Sequence, residues 1–333
     1  MPGRVAPGAV TPPRPEPPSA SWLRFHDLLP ESFEPLGGDV SPRTYARARR
    51  ADGTVVIVAS YPEHQRDVFH RFLATTELFE NAELRVPKIF ASDEEELRMV
   101  LEDVGAQTLY ELSPRPWAER LPHYLHAADL ARRIGELPAA EVHDLNPVLD
   151  GAALRRELDQ TRDRFWRPQG LLSKPLETRF EAFLDTLCEH IDQEPRCPNH
   201  RDYMVRNLVP IPSEGPNQLA ILDHQDLRLA PASYDLASLL NDSHFPPSEI
   251  EAAILARVLP KDADLLSYRR CAVQRTLKAI GTFAAFAHRG FPKHLPLIPP
   301  TLGRCLEQME QLPEGEGLVG ELRGAVVGVD TDR

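Results

Sequence analysis

The stretch from Pro198 to Asp226 restricts the fold of this chain more than any other. It reads Pro-Asn-His-Arg-Asp-Tyr-Met-Val-Arg-Asn-Leu-Val-Pro, then a polar turn, then Leu-Ala-Ile-Leu-Asp-His-Gln-Asp. Two apolar pieces, Leu208-Val209 and Leu219 to Leu222, predict a buried hairpin. Polar residues sit at its ends. His200-Arg201-Asp202 followed by Asn207 has the spacing H-R-D-x-x-x-x-N, in which an Asp takes a hydroxyl proton and an Asn holds a metal. Asp223 ends the second apolar piece and is placed to meet the same metal. Singly, an HRD triplet or an Asp after an apolar run is an ordinary turn-former. Together they supply one base and two oxygen ligands for Mg²⁺, the minimum set for moving a phosphoryl group from ATP to an alcohol.

The segment resembles the aminoglycoside phosphotransferase branch of the protein-kinase-like fold. The likeness is closer to its bacterial anomeric N-acetylmuramate/N-acetylglucosamine kinases. It rests on His-Arg-Asp-Tyr-x-x-Arg-Asn-Leu, on the Ile-Leu-Asp-His-Gln-Asp strand end, on Tyr234-Asp235-Leu236-Ala237-Ser238-Leu239-Leu240, and on Gln274 to Phe283. It spans roughly Trp22 to Leu312. The resemblance implies an α+β, bilobal protein-kinase-like fold, with a small β-rich N-lobe and a larger helical C-lobe carrying the catalytic hairpin. It implies ATP and Mg²⁺ as cofactors, with ATP between the lobes. Asp202 would be the catalytic base, Asn207 and Asp223 the metal ligands, and His200, Arg201 and Asp235 the support of the catalytic loop.

Composition narrows the partners. The net charge is -12, which argues against nucleic acid, because phosphate backbones attract positive surfaces. Cys188, Cys197, Cys271 and Cys305 are too scattered for a metal or redox motif and read as thiols of a reducing cytosol. No stretch approaches the ~20 apolar residues of a membrane helix, so a cytoplasmic protein is expected; a monomer is expected as well. Seven of the 33 prolines fall between Pro2 and Pro18, and residues 1-20 read as a disordered tail.

Domain boundaries follow in chain order: 21-105 as the nucleotide-binding lobe, 106-312 as the catalytic and substrate lobe, 313-333 as a loose tail. Trp22 to Leu29 predicts a short helix on the first lobe. Thr44 to Arg49 and Thr54 to Ser60, joined by Ala51-Asp52-Gly53, predict a hairpin. The preceding loop holds Gly38, Asp39, Ser41 and Arg43; by the resemblance, Gly38, Ser41 and Arg43 bind nucleotide, although a plain glycine loop is the alternative reading. The strand Val55 to Tyr61 lacks the phosphate-pairing lysine of ordinary kinases, an absence shared with the resembled sugar kinases; Arg43 is one candidate to compensate. His64 to Phe79 predicts a helix on which Glu77 reads as a surface residue. Leu97 to Leu101 predicts a strand, and Glu102-Asp103-Val104-Gly105 looks like the segment joining the lobes, whose backbone meets adenine.

Helical spacing then dominates, over Trp117 to Leu137, Ala152 to Trp166, Leu176 to Ile191 and Leu266 to Ala287. His123, His126 and His143 form no closed ligand set. Phe165 and Trp166 suit either the core or a sugar-stacking wall. Arg206, Gln225, Asp226 and Arg275 are the candidate acceptor-site residues; for Gln225 and Asp226, orientation of the metal site or a turn role are alternatives, and for the basic face with Arg275 and Lys278, a solvated surface.

These features predict an ATP-dependent small-molecule kinase acting on a sugar hydroxyl, with the resemblance pointing to the anomeric hydroxyl of N-acetylmuramate or N-acetylglucosamine in cell-wall recycling. The alternatives are an aminoglycoside or other alcohol phosphotransferase and a nucleotide-binding pseudokinase or scaffold. A non-kinase helical domain fits the Asp-Gly hairpin poorly.

Overall fold

The computed structural model describes residues 18-37, 42-242, 244-259 and 262-326. Gly38, Asp39, Ser41 and nearly all of the Pro-rich tail lie outside the described residues. The chain divides into two compact units. One comprises residues up to Leu109 together with Arg206–Gln225; the other comprises Tyr110–Val205 and the chain from Asp226 onward.

The first unit opens with helix α1 (Ala20–Phe25) and an antiparallel sheet of β1 (Glu34–Pro35), β2 (Thr44–Arg49), β3 (Val55–Ser60), β4 (Ile89–Asp93) and β5 (Arg98–Glu102), in the order β1-β2-β3-β5-β4. The expected hairpin is present, with Thr44 opposite Ser60 and Arg49 opposite Val55. β3 is apolar from Val55 to Ala59 because both of its faces are covered. Val56 and Val58 pack on Trp22, Leu23 and Leu28, and Ile57 and Ala59 on Phe69, Phe72 and Met99. The two phenylalanines come from helix α2 (Arg66–Asn81), where Glu77 is exposed, as a surface residue should be.

The catalytic hairpin, β7 (Leu208–Pro210) with β8 (Leu219–Ile221), belongs to this unit. Backbone bonds tie it there: Ile221 N–H donates to the Arg85 carbonyl at 2.8 Å, and Leu109 N–H to the Leu208 carbonyl at 2.9 Å. The division between the units falls after Leu109, four residues beyond the boundary expected at Gly105, and the hairpin groups with the sheet. The backbone bonds that tie it there come from residues distant in the chain, and no local pattern announces them.

The second unit is helical around one small ribbon, β6 (Arg196–Asn199) with β9 (Arg228–Pro231). Its helices are α3 (Trp117–Ile134), α4 (Ala139–Leu145), α5 (Gly151–Thr161), α6 (Arg167–Gln169), α7 (Lys174–Asp192), α8 (Tyr234–Leu240), α9 (Ser248–Val258), α10 (Asp262–His288), α11 (Ile298–Met309) and α12 (Val319–Val326), with a π turn at Arg162–Trp166. α10 lies so close to α5 that a Cβ on Gly281 would collide with Thr161 Oγ1 and come within 2.8 Å of its backbone N and Cα. Thr161 Oγ1 in turn donates to the Leu277 carbonyl at 2.7 Å. Phe165 and Trp166 are core residues, 1% and 3% exposed, and Trp166 meets Phe180 edge-on. The segment after Leu312 is a correction to the expected loose tail. It carries α12, whose Val319 and Leu322 are buried; an eight-residue helix interrupted by Gly320 and Gly324 offers too short a periodic signal.

Candidate active site

In the hairpin unit, Asn207 closes a 3-10 turn (Val205–Asn207) directly before β7. Its carbonyl accepts the Leu222 N–H at 2.8 Å, so Asn207 and the neighbour of Asp223 are cross-strand partners. Asp223 has φ 62°, a left-handed backbone that is uncommon for a residue with a side chain and is found at functional turns. It ends the strand by turning its carboxylate out of the ladder. That carboxylate is one-third exposed. Oδ1 accepts NH2 of Arg43 at 2.9 Å and Nε2 of Gln225 at 3.0 Å. Gln225 thereby orients Asp223. His224 is buried between Phe72 and Phe79 of α2, with Nδ1 2.8 Å from Thr75 Oγ1, which fixes the strand end to the helix.

The Asp223 carboxylate and the Asn207 amide oxygen are oxygen donors of the kind that suits Mg²⁺, a hard cation that keeps waters and substrate oxygens for its other positions. Among the described residues no cluster of three His, Cys, Asp or Glu side chains has the arrangement of a metal site, including His123, His126 and His143.

At the end of β5, the Glu102 carboxylate is held by Arg85 at 2.7 and 2.8 Å and by the Lys88 N–H at 3.1 Å, and the Asp103 carboxylate by Arg47 at 2.6 Å and by the Gly105 N–H at 3.0 Å. Both side chains brace the strand end. Gly105 takes φ 107°, a turn only glycine adopts readily.

In the helical unit, β6 leads into His200, Arg201 and Asp202. Asp235, 2% exposed at the start of α8, accepts the His200 N–H at 2.6 Å on one oxygen and the Arg201 N–H at 2.9 Å on the other. Its own N–H bonds Asn199 Oδ1 at 3.1 Å. These bonds hold Arg201 at φ 75°, and Tyr203 anchors the next turn by donating to the Ala127 carbonyl at 2.8 Å. Burial pushes the Asp235 carboxyl up to about 6, against the pull of His200 and the two N–H donors.

Asp202 lies in a ring of charges. Arg275 NH1 is 3.2 Å from Oδ1, and Arg201 NH1 3.4 Å from Oδ2. Arg201 also reaches Asp226 and Glu157, each at 3.0 Å. Lys278 Nζ is 3.2 Å from Glu157, and Arg228 NH2 3.5 Å from Asp226. Four cations thus face three carboxylates. Burial alone would raise the Asp202 carboxyl, but Lys278, Arg275 and Arg201 outweigh it and hold the group well below the usual carboxylate range. Lys278 shows the converse: burial, then Arg275 and Arg201, push its ammonium down to about 8 despite Asp202 and Glu157. Asp202 keeps about a quarter of its side chain open to solvent.

Of the candidate acceptor-site residues, Asp226 and Arg275 join this ring, whereas Gln225 and Arg206 belong to the hairpin unit. Sequence reasoning missed Glu157 and Arg228. Glu157 sits in a helix full of charges, Arg155, Arg156 and Asp159 among them, so only tertiary structure distinguishes it.

Residues 32–270 match the phosphotransferase enzyme family, APH. The chain belongs to this family. It is 30% identical over 321 residues to an N-acetylmuramate/N-acetylglucosamine kinase of Pseudomonas aeruginosa, covering 87% of this chain and 91% of that protein. It is 29% identical to the protein of the same name from Pseudomonas putida, covering 88% of each. Among solved structures, an ADP-bound aminoglycoside phosphotransferase superposes with a TM-score of 0.60 at 12% identity, covering 86% of this chain and 97% of the other. A choline kinase of Streptococcus pneumoniae gives 0.56 at 14% identity, covering 86% and 96%. The protein-kinase-like fold is therefore shared, and the chain is a small-molecule phosphotransferase. No described helix is long and apolar enough to cross a membrane.

Proposed function

We propose that this phosphotransferase uses ATP and Mg²⁺ to phosphorylate the anomeric hydroxyl of an N-acetyl amino sugar, N-acetylmuramate or N-acetylglucosamine, in the cytoplasm as part of cell-wall recycling. The observation that carries the reading is Asp202, a partly open carboxylate fixed by Arg275 and Arg201 on a loop pinned by Asp235. Relatives that cover nine-tenths of their own length with this chain support the sugar.

In this mechanism Asp202 accepts a hydrogen bond from the acceptor hydroxyl and aligns its oxygen. Because the surrounding cations keep Asp202 ionised, it is a weak base toward a free alcohol. It takes the proton only as the bond to phosphorus forms and the hydroxyl becomes strongly acidic. Arg275 and Lys278 face the charge that develops beside it. Asn207 and Asp223 hold Mg²⁺, which when bound offsets charge on the phosphates. Gln225 fixes the Asp223 carboxylate. Gly38, Ser41 and Arg43 form the nucleotide's phosphate side, and the backbone at Glu102 and Asp103 its adenine side. Arg206 and Asp226 complete the acceptor side.

The cations around Asp202 favour a neutral or anionic acceptor over a cationic aminoglycoside. A coupled ADP-release assay against N-acetylglucosamine, N-acetylmuramate, an aminoglycoside and choline tests this. The reading expects turnover of the sugars alone. Turnover of the aminoglycoside alone would replace it, and nucleotide binding without turnover of any acceptor would favour a pseudokinase.

A further inference from the structure

Of the four cations in the ring around Asp202, Arg228 is the least engaged. Arg275 lies on Asp202 at 3.2 Å, Lys278 on Glu157 at 3.2 Å, and Arg201 on Glu157 and Asp226 at 3.0 Å and on Asp202 at 3.4 Å. Arg228 opens β9, and its ion pair with Asp226 is long, at 3.5 Å, beyond the usual span of an N–H···O bond. Asp226 is divided, because its other oxygen takes NH1 of Arg201 at 3.0 Å. Nε of Arg228 donates to the Asp226 carbonyl at 3.1 Å, which fixes the guanidinium at its base, while NH1 donates to no acceptor among the described residues. Burial and Arg201 oppose the charge on Arg228 more than Asp226, Asp202 and Glu157 favour it. The side chain is nevertheless 16% open to solvent.

A guanidinium fixed through Nε still presents two parallel N–H donors at its far end, a fork that matches both oxygens of a carboxylate. Arg201 NH1 touches Asp202 and Asp226 alike, so Arg228 stands one carboxylate away from the group assigned to the acceptor hydroxyl. The two proposed acceptors differ in charge. N-acetylglucosamine is neutral, whereas N-acetylmuramate carries a carboxylate on a lactyl ether at C3, separated from the anomeric carbon by C2 alone. We propose that Arg228 binds a carboxylate borne by the acceptor and so sets a preference for the acidic sugar over the neutral one. The inference rests on the sugar-kinase reading and adds to it the residue that tells its two candidate substrates apart. An acid seated there supplies the counter-charge that Asp226 gives only at long range; a neutral sugar leaves the guanidinium to water.

Coupled ADP release by the full chain, with Mg²⁺ and at one pH, tests this against N-acetylmuramate, its methyl ester and N-acetylglucosamine. The ester keeps the lactyl ether and lacks the charge. For the wild type, kcat/KM for the acid should exceed that for the ester by about 10- to 100-fold, the range of a hydrogen bond between charged groups. Arg228→Met should abolish the preference, its kcat/KM for the acid falling to its own value for the ester, and Arg228→Lys, which keeps the charge without the fork, should retain part of it. Wild-type protein that uses acid and ester equally overturns the proposal, and this comparison needs no variant to fold. So does a folded Arg228→Met protein that keeps the preference, or one that loses activity on acid and ester by the same factor, as a role in the loop or at the nucleotide would produce. Wild-type protein that releases ADP with none of the three removes the sugar-kinase reading, and the inference with it.

Discussion

Replacing Asp235 with alanine should both destabilise the protein and loosen its catalytic loop. The carboxylate is 2% exposed and accepts the His200 and Arg201 N–H groups, one on each oxygen. Asp235→Ala leaves both donors buried without an acceptor, at about 1–3 kcal/mol each. Arg201 is held at φ 75°, a conformation that costs about 1–3 kcal/mol and persists only while its surroundings enforce it. Relief of that strain, and of the cost of burying the carboxylate, offsets part of the loss. A net cost of about 2–4 kcal/mol remains, or roughly 3–6 °C in melting temperature at an unfolding entropy of about 2.1 cal/mol/K per residue. Asp235→Asn keeps one acceptor and should lie about half-way.

The pH dependence carries a definite sign. The folded carboxyl stands at about 6 and its ordinary value is 3.8. Between these values the native state holds a proton that the unfolded chain has released, so this group's contribution is full below the lower value and is lost as pH rises through the upper one. Asp235→Asn removes that slope. Thermal unfolding of wild type and both variants at about pH 5 and about pH 7.5, with ADP release alongside, measures all of this. An Asp235→Ala protein that melts within about a degree of wild type and turns over normally would refute the reasoning, since the two N–H groups would then not need their acceptor.

Other predictions concern the helical unit. Lys278 loses its charge as pH rises through about 8, so kcat should fall across that range, and Lys278→Arg should move the fall to higher pH in the rate profile. Glu251 Oε1 accepts Tyr268 Oη and Arg304 NH2, each at 2.5 Å, and Gln308 Nε2 at 3.0 Å. Arg304→Met strands this buried charge and should cost about 3–5 kcal/mol in denaturant unfolding, while Arg304→Met with Glu251→Leu recovers much of it. Gly281→Ala drives a Cβ into Thr161 and should lower the melting temperature more than Gly303→Ala, where the added Cβ meets nothing within 4 Å.

Much of the fold was legible in the sequence because its elements have strong local periods. The Asp-Gly turn fixed the β2–β3 hairpin, and the apolar spacings of α2, α3, α7 and α10 gave helices within a few residues of those observed. In the candidate site, spacing singled out Asp202 and Asn207. The site was illegible where helices distant in the chain converge: nothing local marks Glu157 apart from Asp159, and Lys278 is distinguished only by packing that brings α10 to α5 and the catalytic loop. α12 escaped for the opposite reason, being too short to show a period.

The account depends most on Asp202. Purified wild-type and Asp202→Asn proteins, matched for melting temperature, should be compared by coupled ADP release with N-acetylglucosamine and N-acetylmuramate in the presence of Mg²⁺. The account predicts sugar-dependent release by the wild type and a loss of at least about 1,000-fold in the variant, the scale on which a positioned base and its charge contribute. Sugar-dependent release retained in full by a folded Asp202→Asn protein would contradict it.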